Sequence, residues 1–250
     1  MTQQAPDKDF FVDAVRHEGA TFLAVAREAD LTAPVPPCPK WTVWDLERHL
    51  GVVYDWQRTH FVRGETTEPT HQRTTAPEGD AVYDWFAAQH ADLVDGLVDL
   101  DPATPAWNWS LRPRTGDFWH RRMAQETAVH RWDAQSAAGL PQPVEPTLAA
   151  DGVAEVLEVF LPGGRRKGPD DAEGVVRLVS TDTGDEWTVR VRGTELAVLD
   201  TDTVLDSGPG AQSAAAGTAS DLLLALWGRV PFDVLQLEGD PRLLSALRTG

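Results

Sequence analysis

Cysteine is almost missing from this chain of 250 residues, in which Cys38 stands alone. One thiol excludes an internal disulfide and any cysteine-rich zinc site. Lysine is nearly as scarce, found only at Lys8, Lys40 and Lys167. Cationic charge as a whole is short: 22 Lys and Arg face 39 Asp and Glu, a formal net charge of −17. So acidic a protein has no electrostatic reason to bind nucleic acid or an anionic membrane. No apolar run reaches the roughly 18 residues of a membrane-spanning helix. The opening residues lack the basic stretch and apolar core of a secretory leader, so a cytoplasmic protein is expected.

What is present is ordinary for a globular protein. A hydrophobic fraction of 42% beside 24% charged residues is enough to bury one large core or two modest ones. Apolar residues recur at helical spacing over 9–29, with Phe10, Phe11, Ala14, Val15, Phe22, Val25 and Ala26 on one stripe. The proline-rich stretch Ala33 to Lys40 must be a loop. Thr42 then reads as the N-cap of a second helix, with Asp45 as its capping-box partner. Leu46, His49, Leu50, Val53 and Trp56 or Gln57 make its stripe, so His49 lies on an apolar, inward face. A polar loop from Arg63 to Gly79 precedes a third helix over 80–100, and a fourth runs from about Gly116 to Ala138. Trp107, Trp109 and Trp119 crowd the connection between those two. Four such helices predict a four-helix bundle.

The segment Leu140 to Pro146 reads as a linker, after which the character changes. A helix over 147–160 is expected, then strands at 175–180, 187–192 and 196–199. The small-residue run 211–219 shows no element of its own. A helix at 218–228, a strand at 232–237 and a helix at 241–247 complete a small mixed α+β domain.

One constellation carries chemistry. Glu126 and His130 are one turn apart on the fourth helix, where Trp119, Met123, Glu126 and His130 form an inward stripe. His49 projects from a neighbouring helix. Two imidazoles and a carboxylate suit Zn²⁺ or a similar divalent ion, and three protein ligands leave a position open for catalysis. The plainer reading is a core histidine and a chance spacing, with His17, His60, His71, His90 and His120 as rivals. Asp133 is either an acceptor that orients a ligand or half of a surface ion pair with Arg131. Cys38, in its proline-rich loop with no histidine nearby in sequence, reads as incidental.

Several segments together resemble a known family. Cys38 to Leu46 with His49-Leu50-Gly51, Glu126 to Ala134, Ala150 to Leu157, and Ala219 to Arg229 followed by Glu238-Gly239-Asp240 are similar to the mycothiol-dependent maleylpyruvate isomerase family. The resemblance implies a DinB-like four-helix bundle over 1–142 and a sterol-carrier-like α+β domain over 147–250. It implies a divalent metal, most often zinc, on His49, Glu126 and His130. It also implies mycothiol, the low-molecular-weight thiol of actinobacteria, as cosubstrate. Family members often carry His where this chain has Gln125, which is expected to alter pocket polarity. The family feature of an Arg after Trp-Gly matches Arg229, implied to reach the active site from the second domain. An anionic substrate needs a local cation, and Arg229 and Arg131 are the candidates. The expected function is an isomerase or thiol S-transferase in which a metal-bound thiolate adds to a small electrophile. The alternatives are a hydrolase using metal-bound water, and a small-ligand-binding protein with a structural metal.

Overall fold

The computed structural model describes residues 6–64, 66–68, 74–165, 167–199 and 213–249, with the side chains of 59–63 outside that set. His60 and His71 therefore lie outside the described side chains, as does much of the loop expected before the third helix. The chain divides into two compact units, Met1–Gln142 and Pro143–Gly250.

Capping starts the first two helices. Asp7 accepts a bond from the Phe10 amide and opens α1 (Lys8–Glu28). The reciprocal Thr42–Asp45 capping box opens α2 (Val43–Arg63). α3 (Ala81–Asp99) and α4 (Gly116–Ala137) complete a bundle. α1 packs chiefly on α4 and α3, and α2 on α3 and α4. Helices consecutive in sequence, α1 with α2 and α3 with α4, therefore sit across the diagonals. Short loops would force consecutive helices to be neighbours; the long connections here allow the crossing. The crossing brings α2 beside α4, and so His49 beside Glu126 and His130.

The bundle core is apolar, with Phe22, Leu46, Leu50, Tyr54, Phe86, Leu93, Leu97, Trp119 and Met123 almost fully buried. Several of its polar groups are paired. Thr127 Oγ1 donates to the Met123 carbonyl at 2.6 Å, so Tyr54 must be the donor in the 2.7 Å Tyr54–Thr127 bond. His90 and His120 face the carbonyls of Val15 and Leu97, each at 3.0 Å, and are core histidines. Gly51 has a packing reason, because a Cβ there would stand 2.4 Å from the Trp85 ring. Glu47 is fully buried with neither oxygen bonded among the described residues. Burial pushes its carboxyl up to about 8, against the pull of Arg27, so it is mostly neutral at pH 7.

The second unit begins with α5 (Pro146–Glu155), which runs on into a π-helical turn, Val156–Phe160. Five strands follow: β1 (Glu173–Ser180), β2 (Glu186–Arg192), β3 (Glu195–Leu199), β4 (Ser213–Gly217) and β5 (Gln236–Gly239). Their order is β3-β2-β1-β4-β5, with β1 and β4 parallel and the other pairs antiparallel. α6 (Ala219–Leu226) and α7 (Pro241–Ser245) pack on the sheet, and α5 packs on α6. Two expectations change. The small-residue run contains β4, whose alanines and Gly217 fit a crowded site: a Cβ on Gly217 would lie 2.5 Å from Leu235. The strand expected at 232–237 starts instead at Gln236, because Phe232–Val234 turns as a 3-10 helix after Pro231.

The bundle also holds a buried ion pair, Arg131 Nε to Glu18 Oε2, with both side chains over nine-tenths covered. Breaking such a pair strands a charge, whereas replacing both members need not. Arg131→Met is expected to cost about 3–5 kcal/mol in denaturant unfolding, and the double variant Glu18→Leu/Arg131→Met to recover most of that loss.

Candidate metal centre

His49 on α2 and Glu126 and His130 on α4 meet at one point. One ligand atom from each lies within 4.8 Å of the other two. Glu126 Oε1 sits 3.3 Å from His49 Nε2 and 3.4 Å from His130 Nε2. A tetrahedral zinc ion with ligands at about 2.0–2.1 Å has edges of about 3.3–3.4 Å between them, so the donor set fits such an ion in type and its two edges to Glu126 match in length. The side chains are 33%, 19% and 9% exposed for His49, Glu126 and His130, so the cluster is anchored on α4 and open toward His49.

The surrounding groups fix the chemistry. Asp133 Oδ2 lies 2.9 Å from His130 Nδ1. A carboxylate only accepts, so the Nδ1 proton belongs to this bond, and once Nε2 gives up its own proton that nitrogen is the one left with a lone pair. Arg122, buried one turn before Glu126, donates from NH2 to Oε2 at 2.9 Å. Burial pushes the Glu126 carboxyl up, but the bonds to His130 and His49 and the Arg122 charge outweigh it and hold the group well below the usual range. Burial likewise pulls His130 down, yet its bonds to Asp133 and Glu126, and their charges, lift it to about 9. The Trp41 ring lies 4.7 Å from that of His49 and stacks on His130 at 6.0 Å, forming one wall.

Trp41 and Cys38 arrive on a folded loop. The Val35 amide bonds to the Trp41 carbonyl, and Cys38 is bonded at both its amide and its carbonyl. Cys38 Sγ then donates to Asp133 Oδ2 at 3.7 Å, on the same oxygen that serves His130. The thiol with no histidine nearby in sequence is therefore one residue removed from the cluster in space.

Two expectations are corrected. Asp133 is fully buried against His130 and is not half of a surface ion pair. Arg131 does not join the cluster: it is buried against Glu18, with NH1 bonded to Gln135 Oε1 and the Gln142 carbonyl. Gln125 is fully buried too. Arg229 stands in the second unit, where NH1 donates to the Trp227 carbonyl at 3.1 Å and the guanidinium lies over the Trp227 ring. Sequence reasoning missed Arg122, although it precedes Glu126 by the same four-residue step that singled out His130.

Residues 12–135 match the mycothiol maleylpyruvate isomerase N-terminal domain, and residues 147–246 match the MDMPI C-terminal domain. The chain belongs to the mycothiol maleylpyruvate isomerase family. Two solved structures share its fold: the mycothiol-dependent maleylpyruvate isomerase and a histidine-to-alanine mutant of it. The TM-scores are 0.63 and 0.64 at 11% and 12% identity, each alignment covering 94% of this chain and 96% of the other. No curated protein sequence matches the chain.

The raised His130 group makes metal uptake a competition with a proton. At pH 7 the metal-free imidazole is protonated, so binding Zn²⁺ is expected to release close to one proton, read by calorimetry in buffers of different ionisation enthalpy. The same shift stabilises the metal-free fold fully below about pH 6.5, the unfolded value, and that contribution disappears as pH rises through about 9. The melting temperature of chelated protein should therefore lose this contribution between pH 7 and 9.

Proposed function

We propose that this protein is a metal-dependent, mycothiol-dependent enzyme that adds the thiol to a small electrophile, with cis-trans isomerisation of an activated alkene acid as the favoured reaction. The observation that carries the reading is the convergence of His49 Nε2, Glu126 Oε1 and His130 Nε2 in a member of this family. A divalent ion on these three side chains would act as a Lewis acid that keeps a thiol deprotonated, where a free thiol of pKa about 8.5 is mostly protonated at neutral pH.

The chain's own residues prepare that chemistry. Asp133 holds the His130 tautomer, Arg122 and the two imidazoles keep Glu126 ionised, and Trp41 lines one side. The sulfur of the thiolate forms a C–S bond to the alkene carbon β to the ketone, and the π pair moves through the α-carbon onto the ketone oxygen as an enolate. The former double bond is now single and rotates. Collapse of the enolate restores the alkene as the trans isomer and expels the thiolate, with no net change in protons or electrons. An S-transferase would stop at the adduct, after protonation of the enolate.

Purified protein loaded with Zn²⁺ should convert maleylpyruvate to its trans isomer only when mycothiol is present. His49→Ala, Glu126→Gln and His130→Ala should each lower both bound metal and turnover, by about 10-fold or more. Turnover of an ester or amide without thiol, and none of the alkene with it, would instead indicate a hydrolase.

A further inference from the structure

We propose that Arg122 is a positioning residue that confines Glu126 to ligation through one oxygen and so keeps a coordination position free for the thiol; this rests on the metal-centre reading above. The two carboxylate oxygens are divided between different partners. Oε1 faces His49 Nε2 at 3.3 Å and His130 Nε2 at 3.4 Å. Oε2 accepts from Arg122 NH2 at 2.9 Å. A carboxylate without that bond can swing both oxygens onto one ion. The protein would then supply four donor atoms, and the open position that distinguishes a catalytic site would be filled. The charge-assisted bond to Arg122 opposes that swing.

Arg122 has a second effect through charge. Two neutral imidazoles and one carboxylate carry −1 between them, and the guanidinium cancels it. The Asp133 carboxylate on His130 adds a further −1, so a divalent ion there keeps a net positive charge toward an arriving thiolate and an anionic electrophile, one unit higher than it would be without Arg122. The side chain is only 4% exposed, so it does not reach substrate and acts through Glu126. Helix stability alone accounts poorly for the placement: an i,i+4 pair supports a helix from the surface, whereas this guanidinium is buried at a desolvation cost.

The test uses the full chain loaded with Co²⁺ in place of zinc, titrated with mycothiol. Wild type should show the intense d–d absorption of a four-coordinate ion, and a sulfur-to-cobalt charge-transfer band should rise with thiol. Folded Arg122→Met and Arg122→Gln should bind Co²⁺ with the weaker d–d bands of higher coordination, and their apparent Kd for mycothiol should rise by about 10-fold or more. Arg122→Lys, which restores the charge and one donor, should recover much of both signals. Should Arg122→Met not fold, the Gln and Lys variants carry the comparison. Neutral variants with the wild-type spectrum and thiol affinity would overturn the role of Arg122. Wild-type protein that takes up no Co²⁺, or a His49→Ala variant that takes up as much, would overturn the metal centre itself.

Discussion

A carboxylate at the edge of an apolar core remains ionised only if the groups around it repay its lost hydration. Glu126 meets that condition through Arg122 on one oxygen and two imidazoles on the other. Each partner imposes its own structural demand. Arg122 and His130 need α4 to be unbroken for a turn either side of Glu126. His49 needs α2 to lie beside α4, an arrangement in which α1 and α2, and α3 and α4, sit across the diagonals and which long connections permit. Asp133 must be buried to fix His130, and the Val35–Trp41 loop must fold back so that Cys38 and Trp41 meet that pair. Much of the local architecture of α2, α4 and the loop between α1 and α2 thus follows from one buried charge.

The same economy explains where the cations are. With a net charge of −17, arginines placed in the interior act locally and do little for the overall field. Arg131 and Arg122 are nine residues apart on α4, yet one ties α4 to Glu18 of α1 and the other neutralises Glu126. The first stabilises the bundle. The second sets the charge that a metal ion would present to an anionic partner.

Much of this was legible in the sequence because it depends on local periodicity. The four long helices, the Thr42 capping box and the pairing of Glu126 with His130 all follow from a repeat of 3.6 residues or from capping chemistry, and the structure places them within a residue or two of expectation. What was hidden depends on tertiary neighbours. Nothing near Cys38 in the chain announces Asp133, which is 95 residues away. Arg131 looks like a surface cation until Glu18 of α1 is seen against it. β4 lacks the β-branched residues that mark a strand, and at Gly217 a Cβ would lie 2.5 Å from Leu235. Arg122 alone was within reach, being one helical turn from a residue already singled out.

Anomalous diffraction at the zinc edge, from crystals of unchelated protein soaked in Zn²⁺, bears most directly on the metal centre. The expected map has one peak bounded by His49 Nε2, Glu126 Oε1 and His130 Nε2, with at least one coordination position not supplied by the chain. A map with no peak between those atoms, or with a fourth protein donor closing the site, would contradict it.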